Sequence, residues 1–140
     1  MSTIYYQVHV KFGDTDGAGI VFYPNYYRWM DEATHHFLTT IGFSTAQLIM
    51  VGKVGMPIVE AKCQFRAPLL FDDIVTVNSM IVELKEKVFT IEHTFLKEKK
   101  EVATGYEIRA WCDLSGERPK AIAIPKELLE AVNTLKRTVK

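Results

Sequence analysis

The sequence predicts an α+β fold in which one long central helix is wrapped by an antiparallel sheet of about five to six strands. Apolar residues recur with helical period from Tyr26 to Ile41, and after Ala61 the period drops to two in a series of long β-rich runs. The turns between those runs are brief and charged, which favours an antiparallel meander over parallel crossovers. No repeat, linker or low-complexity stretch interrupts the chain, so residues 1–140 read as one domain.

After a first strand comes the most informative segment, FGDTDGAGIVFYPNYYRWMD from Phe12 to Asp31, which joins a paired-acid, glycine-rich loop to an aromatic-faced helix. Asp14 and Asp16 alternate with small residues, Gly17 and Gly19 allow a tight backbone path, and Pro24 suits a first helical turn. With Pro24 first in the helix, Tyr23 is its N-cap. Nearby backbone N–H groups then lack intrahelical partners, and the helix dipole adds partial positive charge. Such an end holds an anion or a polarised carbonyl. A buried acid beside it points to hydrolysis, and Asp16 is the candidate. Asp14 reads as a structural loop acid, because Asp side chains commonly accept from nearby amides in glycine-rich turns.

Along the helix Tyr26, Trp29, Met30, Ala33, Phe37, Leu38 and Ile41 keep one face apolar, and Gly42 supplies the stop. A short helical pattern spans Thr45 to Met50. Ala61, Cys63 and Phe65 then alternate with Lys62, Gln64 and Arg66 as a half-buried strand. Further strands are expected from Ile74 to Leu84, from Lys87 to Leu96 with Phe89, Ile91, His93 and Phe95 on one side, and from Val102 to Cys112. Asp113 to Gly116 makes a turn before the apolar Ala121 to Ile124, and Pro125 opens a terminal helix with Leu128, Leu129, Val132 and Leu135 inward.

Composition narrows the function. A chain of 140 residues with 48% hydrophobic content supports a substantial core. Seventeen basic and seventeen acidic residues cancel, which argues against a chain-wide footprint for nucleic acid or an anionic membrane. The N-terminus lacks a signal-peptide pattern and no apolar run approaches the roughly 20 residues of a membrane span, so a cytoplasmic protein is expected. Cys63 and Cys112 are too few and too far apart for a CxxC-type zinc site, and His9, His35, His36 and His93 show no metal-ligand spacing. No metal is implied. A GxSxG elbow and a P-loop are both missing from the sequence.

The motif GDTDGAGIVFYPNYYRWMD, with VGMPIV around Pro57, FDDIVTV around Asp72 and YEIRAW around Arg109, resembles the 4-hydroxybenzoyl-CoA thioesterase family along nearly the whole chain. The resemblance implies a hotdog fold and hydrolysis of an acyl-CoA thioester with no metal or organic cofactor. It assigns Asp16 as the catalytic carboxylate, either attacking the thioester carbon or acting as general base on water. The Tyr23 backbone N–H is its oxyanion contact. Phe22, Tyr23, Pro24 and Trp29 are expected to form a flat apolar pocket, the resemblance favours an aryl group in it, and Asp31 matches a position near the distal end of the acyl group. Met56 stands where close relatives offer a hydroxyl-bearing side chain, so benzoyl, hydroxybenzoyl and phenylacetyl-like groups all stay open.

By the same resemblance, CoA phosphates are expected at Lys85, Lys87, Arg118 and Lys120, with Glu86 interrupting that basic cluster. The minimal unit is expected to be a homodimer with a continuous sheet, paired again into a homotetramer, since an unpaired sheet edge invites association. Three other readings are weighed. Short-chain thioesterases of the bacterial Tol-Pal-associated type carry a histidine shortly after the aspartate loop, where this chain has Pro24. A hotdog dehydratase needs a histidine near the reaction site, but His35 and His36 lie well inside the helix. A non-enzymatic acyl-CoA-binding protein would not need Asp16.

Overall fold

The computed structural model describes residues 3–138. Strand β1 (Ile4–His9) and a 3-10 turn at Phe12–Asp14 lead through the glycine-rich loop into helix α1 (Pro24–Thr40) and the short helix α2 (Thr45–Met50). There follow β2 (Val54–Gly55), β3 (Ile58–Phe65), β4 (Ile74–Leu84), β5 (Val88–Lys97), β6 (Lys100–Ala110), β7 (Cys112–Asp113), β8 (Lys120–Ala121) and helix α3 (Lys126–Thr138). The main five-stranded sheet has the order β1-β4-β5-β6-β3, and every neighbouring pair is antiparallel. A small sheet, β2-β7-β8, closes one end. This is the α+β hotdog arrangement, a long helix wrapped by an antiparallel sheet.

The period-two pattern of the strands becomes an inward face. Val75, Val77, Ser79 and Ile81 from β4, Phe89, Ile91, His93 and Phe95 from β5, and Ala103, Glu107 and Arg109 from β6 are all buried. Against them α1 buries Tyr26, Trp29, Met30, Ala33, Thr34, Phe37 and Leu38. Each large apolar side chain so placed contributes about 1.5–3 kcal/mol. α1 and the neighbouring strand β3 both press close on Gly105, where a Cβ would stand 2.7 Å from Met30 Sδ and 2.5 Å from Lys62 O. Gly42, at φ 100°, takes the left-handed conformation that ends α1.

Three expectations change. β3 buries Cys63 but leaves Ala61 only partly covered and Phe65 half exposed, because β3 is an edge strand with no neighbour on its outer side. β6 begins at Lys100 and ends at Ala110, its start set by a tight hairpin in which Lys97 pairs with Lys100 and both Glu98 and Lys99 have positive φ. In α3, Leu128 and Val132 are buried and Leu135 packs beside them, whereas Leu129, about 100° round the helix, is exposed.

Candidate active site

The glycine-rich loop folds back on itself. Thr15 bridges Val21, Phe22 N–H donates to Asp14 O (2.8 Å), and Asp16 N–H donates to Ile20 O (2.8 Å). Asp14 is the hub of this fold, as expected of a structural acid. Its Oδ2 accepts from Lys11 N–H (2.9 Å), its Oδ1 from Arg28 Nη2 (2.8 Å), and its carbonyl also takes the Asn25 side-chain amide (2.8 Å). Arg28 and Asn25 belong to α1, so Asp14 ties the loop to the first turns of the helix.

Asp16 is arranged differently. Its Oδ1 accepts from Ala18 N–H (2.8 Å) in a local turn, and Oδ2 has no protein partner among the described residues. The buried acid expected from the sequence is exposed in the single chain, because the loop lies at the rim of the sheet and nothing in the same chain covers it. At the helix start Pro24 has no N–H, while Asn25 N–H and Tyr26 N–H are taken by Phe22 O and Tyr23 O. Among the described residues the Tyr23 amide makes no backbone hydrogen bond. The expectation of several free amides therefore narrows to that one. Asp16 sits two rungs along the folded-back loop from the Asp14–Phe22 rung next to Tyr23, or about 7 Å of backbone.

A largely apolar cleft of about 560 Å³ opens beside this end of the helix, lined by Ile20, Val21, Tyr23, Tyr26, Phe65, Arg66, Ala67 and Pro68. Tyr26 packs on Phe65 with ring centroids 4.9 Å apart, and burial pushes its phenol up to about 12, which keeps it neutral. Phe22 and Tyr23 are exposed and meet edge to face at 5.4 Å, and Pro24 beside them is exposed as well. Trp29 departs from the expected pocket set. It is 2% exposed and stands in the core against Tyr26, because position 29 faces the sheet when position 26 does.

Farther along α1, Asp31 is half exposed and bound twice. His35 Nε2 at 3.2 Å and Arg109 Nη2 at 2.6 Å hold its carboxyl down at about 2. Met56 is buried, and its carbonyl accepts from Arg109 Nη1 (3.0 Å). Both residues on the expected distal side of the acyl group are thus joined by one arginine. Glu107 is buried behind it. Burial opposes its charge, but the nearby His93 (3.7 Å), hydrogen bonds from Arg109 and Thr34, and the Arg109 charge hold its pKa below the usual range.

The four basic residues expected to meet CoA lie on two segments that neighbour one another, far from the Asp16 loop. Lys85 and Lys87 occupy the β4–β5 turn, and that turn bonds to the segment carrying β7 and β8 through Trp111 N–H to Lys87 O (2.9 Å) and Ile124 N–H to Glu86 O (2.8 Å). Lys120 lies on β8 opposite Asp113, and Arg118 lies just before it. Lys85 Nζ stands 3.7 Å from Glu83, a pair exposed on both sides. β4 runs from this turn back to Ile74, which pairs with His9 near the Asp16 loop. The separation is about 33 Å of strand, the diameter of a small domain. No group of His, Cys, Asp and Glu side chains among the described residues is placed to hold a metal. Both cysteines are buried and reduced, and burial pushes the Cys63 thiol up to about 11.

The sequence profile of the Thioesterase-like superfamily matches residues 10–132. The chain belongs to this family. Among its relatives is a 4-hydroxybenzoyl-CoA thioesterase of Pseudomonas sp. (strain CBS-3), 34% identical over 131 residues that span 89% of this chain and 93% of the relative. A solved gentisyl-coenzyme A thioesterase is 53% identical, with a TM-score of 0.82 over 93% of this chain and 99% of that one. A 4-hydroxybenzoyl CoA thioesterase mutant complexed with 4-hydroxybenzoyl CoA superposes with a TM-score of 0.88 at 31% identity, covering 94% of this chain and 99% of that one. The protein is accordingly a thioester hydrolase. No helix among the described residues is long and apolar enough to cross a membrane.

Several parts of this thioesterase escape a linear reading. Tyr26, Phe65 and Arg66 line the cleft from distant positions, and the buried set Thr34, His93, Glu107 and Arg109 joins α1, β5 and β6. A trace of the second was present in the sequence. Glu107 and Arg109 fall in the same strand phase as Ala103 and Gly105, and His93 in the phase of Phe89, Ile91 and Phe95, which marks them as polar residues on an inward face.

Proposed function

We propose that this thioesterase hydrolyses an aromatic acyl-CoA at the Asp16 loop. One observation carries the reading: among the described residues, an aspartate with one committed and one open oxygen shares a folded-back loop with an unbonded amide at a helix start, beside an apolar cleft. Oδ2 of Asp16 either adds to the thioester carbon, expelling CoA thiolate and leaving a mixed anhydride for water to open, or takes a proton from the attacking water. In both routes Tyr23 N–H donates to the carbonyl oxygen as it gains charge, which contributes about 3–4 kcal/mol to lowering the barrier. Phe22, Tyr23, Tyr26 and Phe65 offer aromatic faces to a planar acyl group, and Asp31 and Met56 stand at its far end. The names of the relatives support an aryl substrate without choosing among aryl groups.

A second copy completes the site in this reading. β3 leaves its outer edge unpaired with Ile58, Val59 and Phe65 exposed, and pairing there continues the sheet across a dimer. The basic residues Lys85, Lys87, Arg118 and Lys120 stand too far from the Asp16 loop of their own chain, so CoA phosphates are met by another chain. Two such dimers form a tetramer, and the enzyme works in the cytoplasm. The test is a panel of acyl-CoA esters read as kcat/KM. Benzoyl-type esters are expected to exceed hexanoyl-CoA by at least about tenfold, or 1.4 kcal/mol of transition-state binding. Equal or faster turnover of hexanoyl-CoA would favour a short-chain enzyme and end the aromatic reading.

A further inference from the structure

Asn25 is the second residue of α1, a place that helix formation by itself does not explain. Asn is a weaker helix former than Ala, and it caps a helix from the position before the first turn, not from within it. That earlier position is Tyr23, which has helical φ −57° and ψ −32° and makes no side-chain cap. The Asn25 side chain instead leaves the helix. Its Nδ2 donates to Asp14 O (2.8 Å), the carbonyl that also accepts from Phe22 N–H (2.8 Å), so both acceptor positions of that oxygen are filled. Arg28 Nη2 donates to Asn25 Oδ1 (3.4 Å) and to Asp14 Oδ1 (2.8 Å), which fixes the amide with its nitrogen towards the loop.

The backbone of Asn25 holds the adjoining peptide unit. Asn25 N–H donates to Phe22 O (3.0 Å), and Phe22 O belongs to the peptide plane that carries Tyr23 N–H. The described peptide bonds are all trans, so within that plane the N–H points opposite to the carbonyl. With Phe22 O turned into the first turn of α1, Tyr23 N–H is aimed out of it. The side chain meanwhile anchors the Asp14–Phe22 rung, from which the loop continues through the Thr15–Val21 bridge to the bond from Asp16 N–H to Ile20 O (2.8 Å). These inner rungs keep the shape of the loop but leave its angle to the helix free. Arg28 also ties the loop to α1 through Asp14, yet by a long, half-exposed side chain that can follow the loop as it moves.

We infer that Asn25 is a positioning residue for hydrolysis: its side-chain amide locks the closing rung of the Asp16 loop to the first turn of α1, and so sets the distance and angle between the Asp16 carboxylate and Tyr23 N–H. The inference rests on the proposed roles of those two groups. Asn25 itself touches neither substrate nor reacting atoms. The geometry it holds is sensitive, because a displacement of about 1 Å between reacting groups costs up to about 10²-fold in rate.

The test measures kcat, KM and thermal melting of the full chain in the wild type, Asn25→Ala, Asn25→Asp, Asp16→Asn, and Asp16→Asn combined with each Asn25 variant. The substrate is benzoyl-CoA, or hexanoyl-CoA if the wild type turns that over faster. Asn25→Asp keeps the size of the side chain and the Arg28 contact but loses the donor, and an acid is well tolerated at a helix start, so it is read alone if Asn25→Ala does not fold. Each Asn25 variant should lower kcat about 10–100-fold with KM within about twofold, at temperatures well below its melting transition. Added to Asp16→Asn, each should lower the remaining turnover by less than about threefold, because without the carboxylate its placement against the amide no longer matters. A kcat within about threefold of wild type in the folded Asn25 variants overturns the inference while Asp16-dependent hydrolysis stands. A loss seen only as a higher KM, or one that multiplies in full onto Asp16→Asn, overturns it as well, since both mark a general loosening of the cleft. Wild-type turnover in Asp16→Asn overturns the reading of the loop itself, and this inference with it.

Discussion

Asp16→Asn separates the chemistry of the loop from its architecture. The asparagine side-chain oxygen can accept from Ala18 N–H as Oδ1 does now at 2.8 Å, and the backbone bonds of Asp16 to Ile20 and Gly19 are untouched. What weakens is the charge assistance of one exposed hydrogen bond, worth about 0.5–1 kcal/mol at most. For a domain of this size that corresponds to a Tm shift of roughly 2–5 °C. The chemical loss is far larger. Removing a general base or nucleophile costs about 10²–10⁴ in rate, or about 3–5 kcal/mol of transition-state stabilisation, and it should fall on kcat with little change in KM. Release of CoA thiol from benzoyl-CoA, followed beside a thermal melt of the same preparation, reads both quantities. Turnover within about threefold of wild type, in a variant that melts normally, would remove Asp16 from the mechanism.

Three further outcomes follow from the geometry. Asp14→Asn should lower stability by about 1 kcal/mol, since it loses the pair with the half-exposed Arg28 and weakens the cap on Lys11, while kcat of the folded fraction stays near wild type; a loss of kcat at unchanged stability would show that the two acids have exchanged roles. Asp31 is held at about 2 by His35 and Arg109, below its unfolded value of about 3.9, so its contribution to stability is complete above pH 4 and is lost as pH falls towards 2. Urea unfolding of wild type and Asp31→Asn should converge across that window, and parallel curves would contradict the linkage. Gly105→Ala places a methyl 2.5 Å from Lys62 O and 2.7 Å from Met30 Sδ, so it should destabilise by about 1–3 kcal/mol; unaltered unfolding in denaturant would mean that α1 is less closely seated on the sheet.

The sequence by itself determined the elements and their buried faces, because period and punctuation are local properties. Tyr26 to Leu38 fell on one helical face, Ile74–Leu84 emerged as β4 with the bounds expected of it, and Pro24 and Gly42 bracketed α1. It also singled out Asp14 as a structural loop acid, although its bonds reach beyond Lys11 to Asn25 and Arg28 on α1. Tertiary structure decided the rest. Whether Asp16 is covered depends on where the fold sets its loop, and that loop lies at the rim of the sheet with Asp16 exposed. Trp29 is core and not pocket because the helix turns it to the sheet, while Phe65 and Arg66 supply the cleft wall from another strand. Lys85 and Lys87 follow β4 at its far end, and the length of that strand sets them away from the Asp16 loop. The union of Asp31 with Arg109 spans 78 positions and that of Thr34 with Glu107 spans 73. Periodicity reports which way a side chain points, but a hydrogen bond requires two chains of backbone to arrive at one place, and only the packing of α1 across β6 brings these residues within reach.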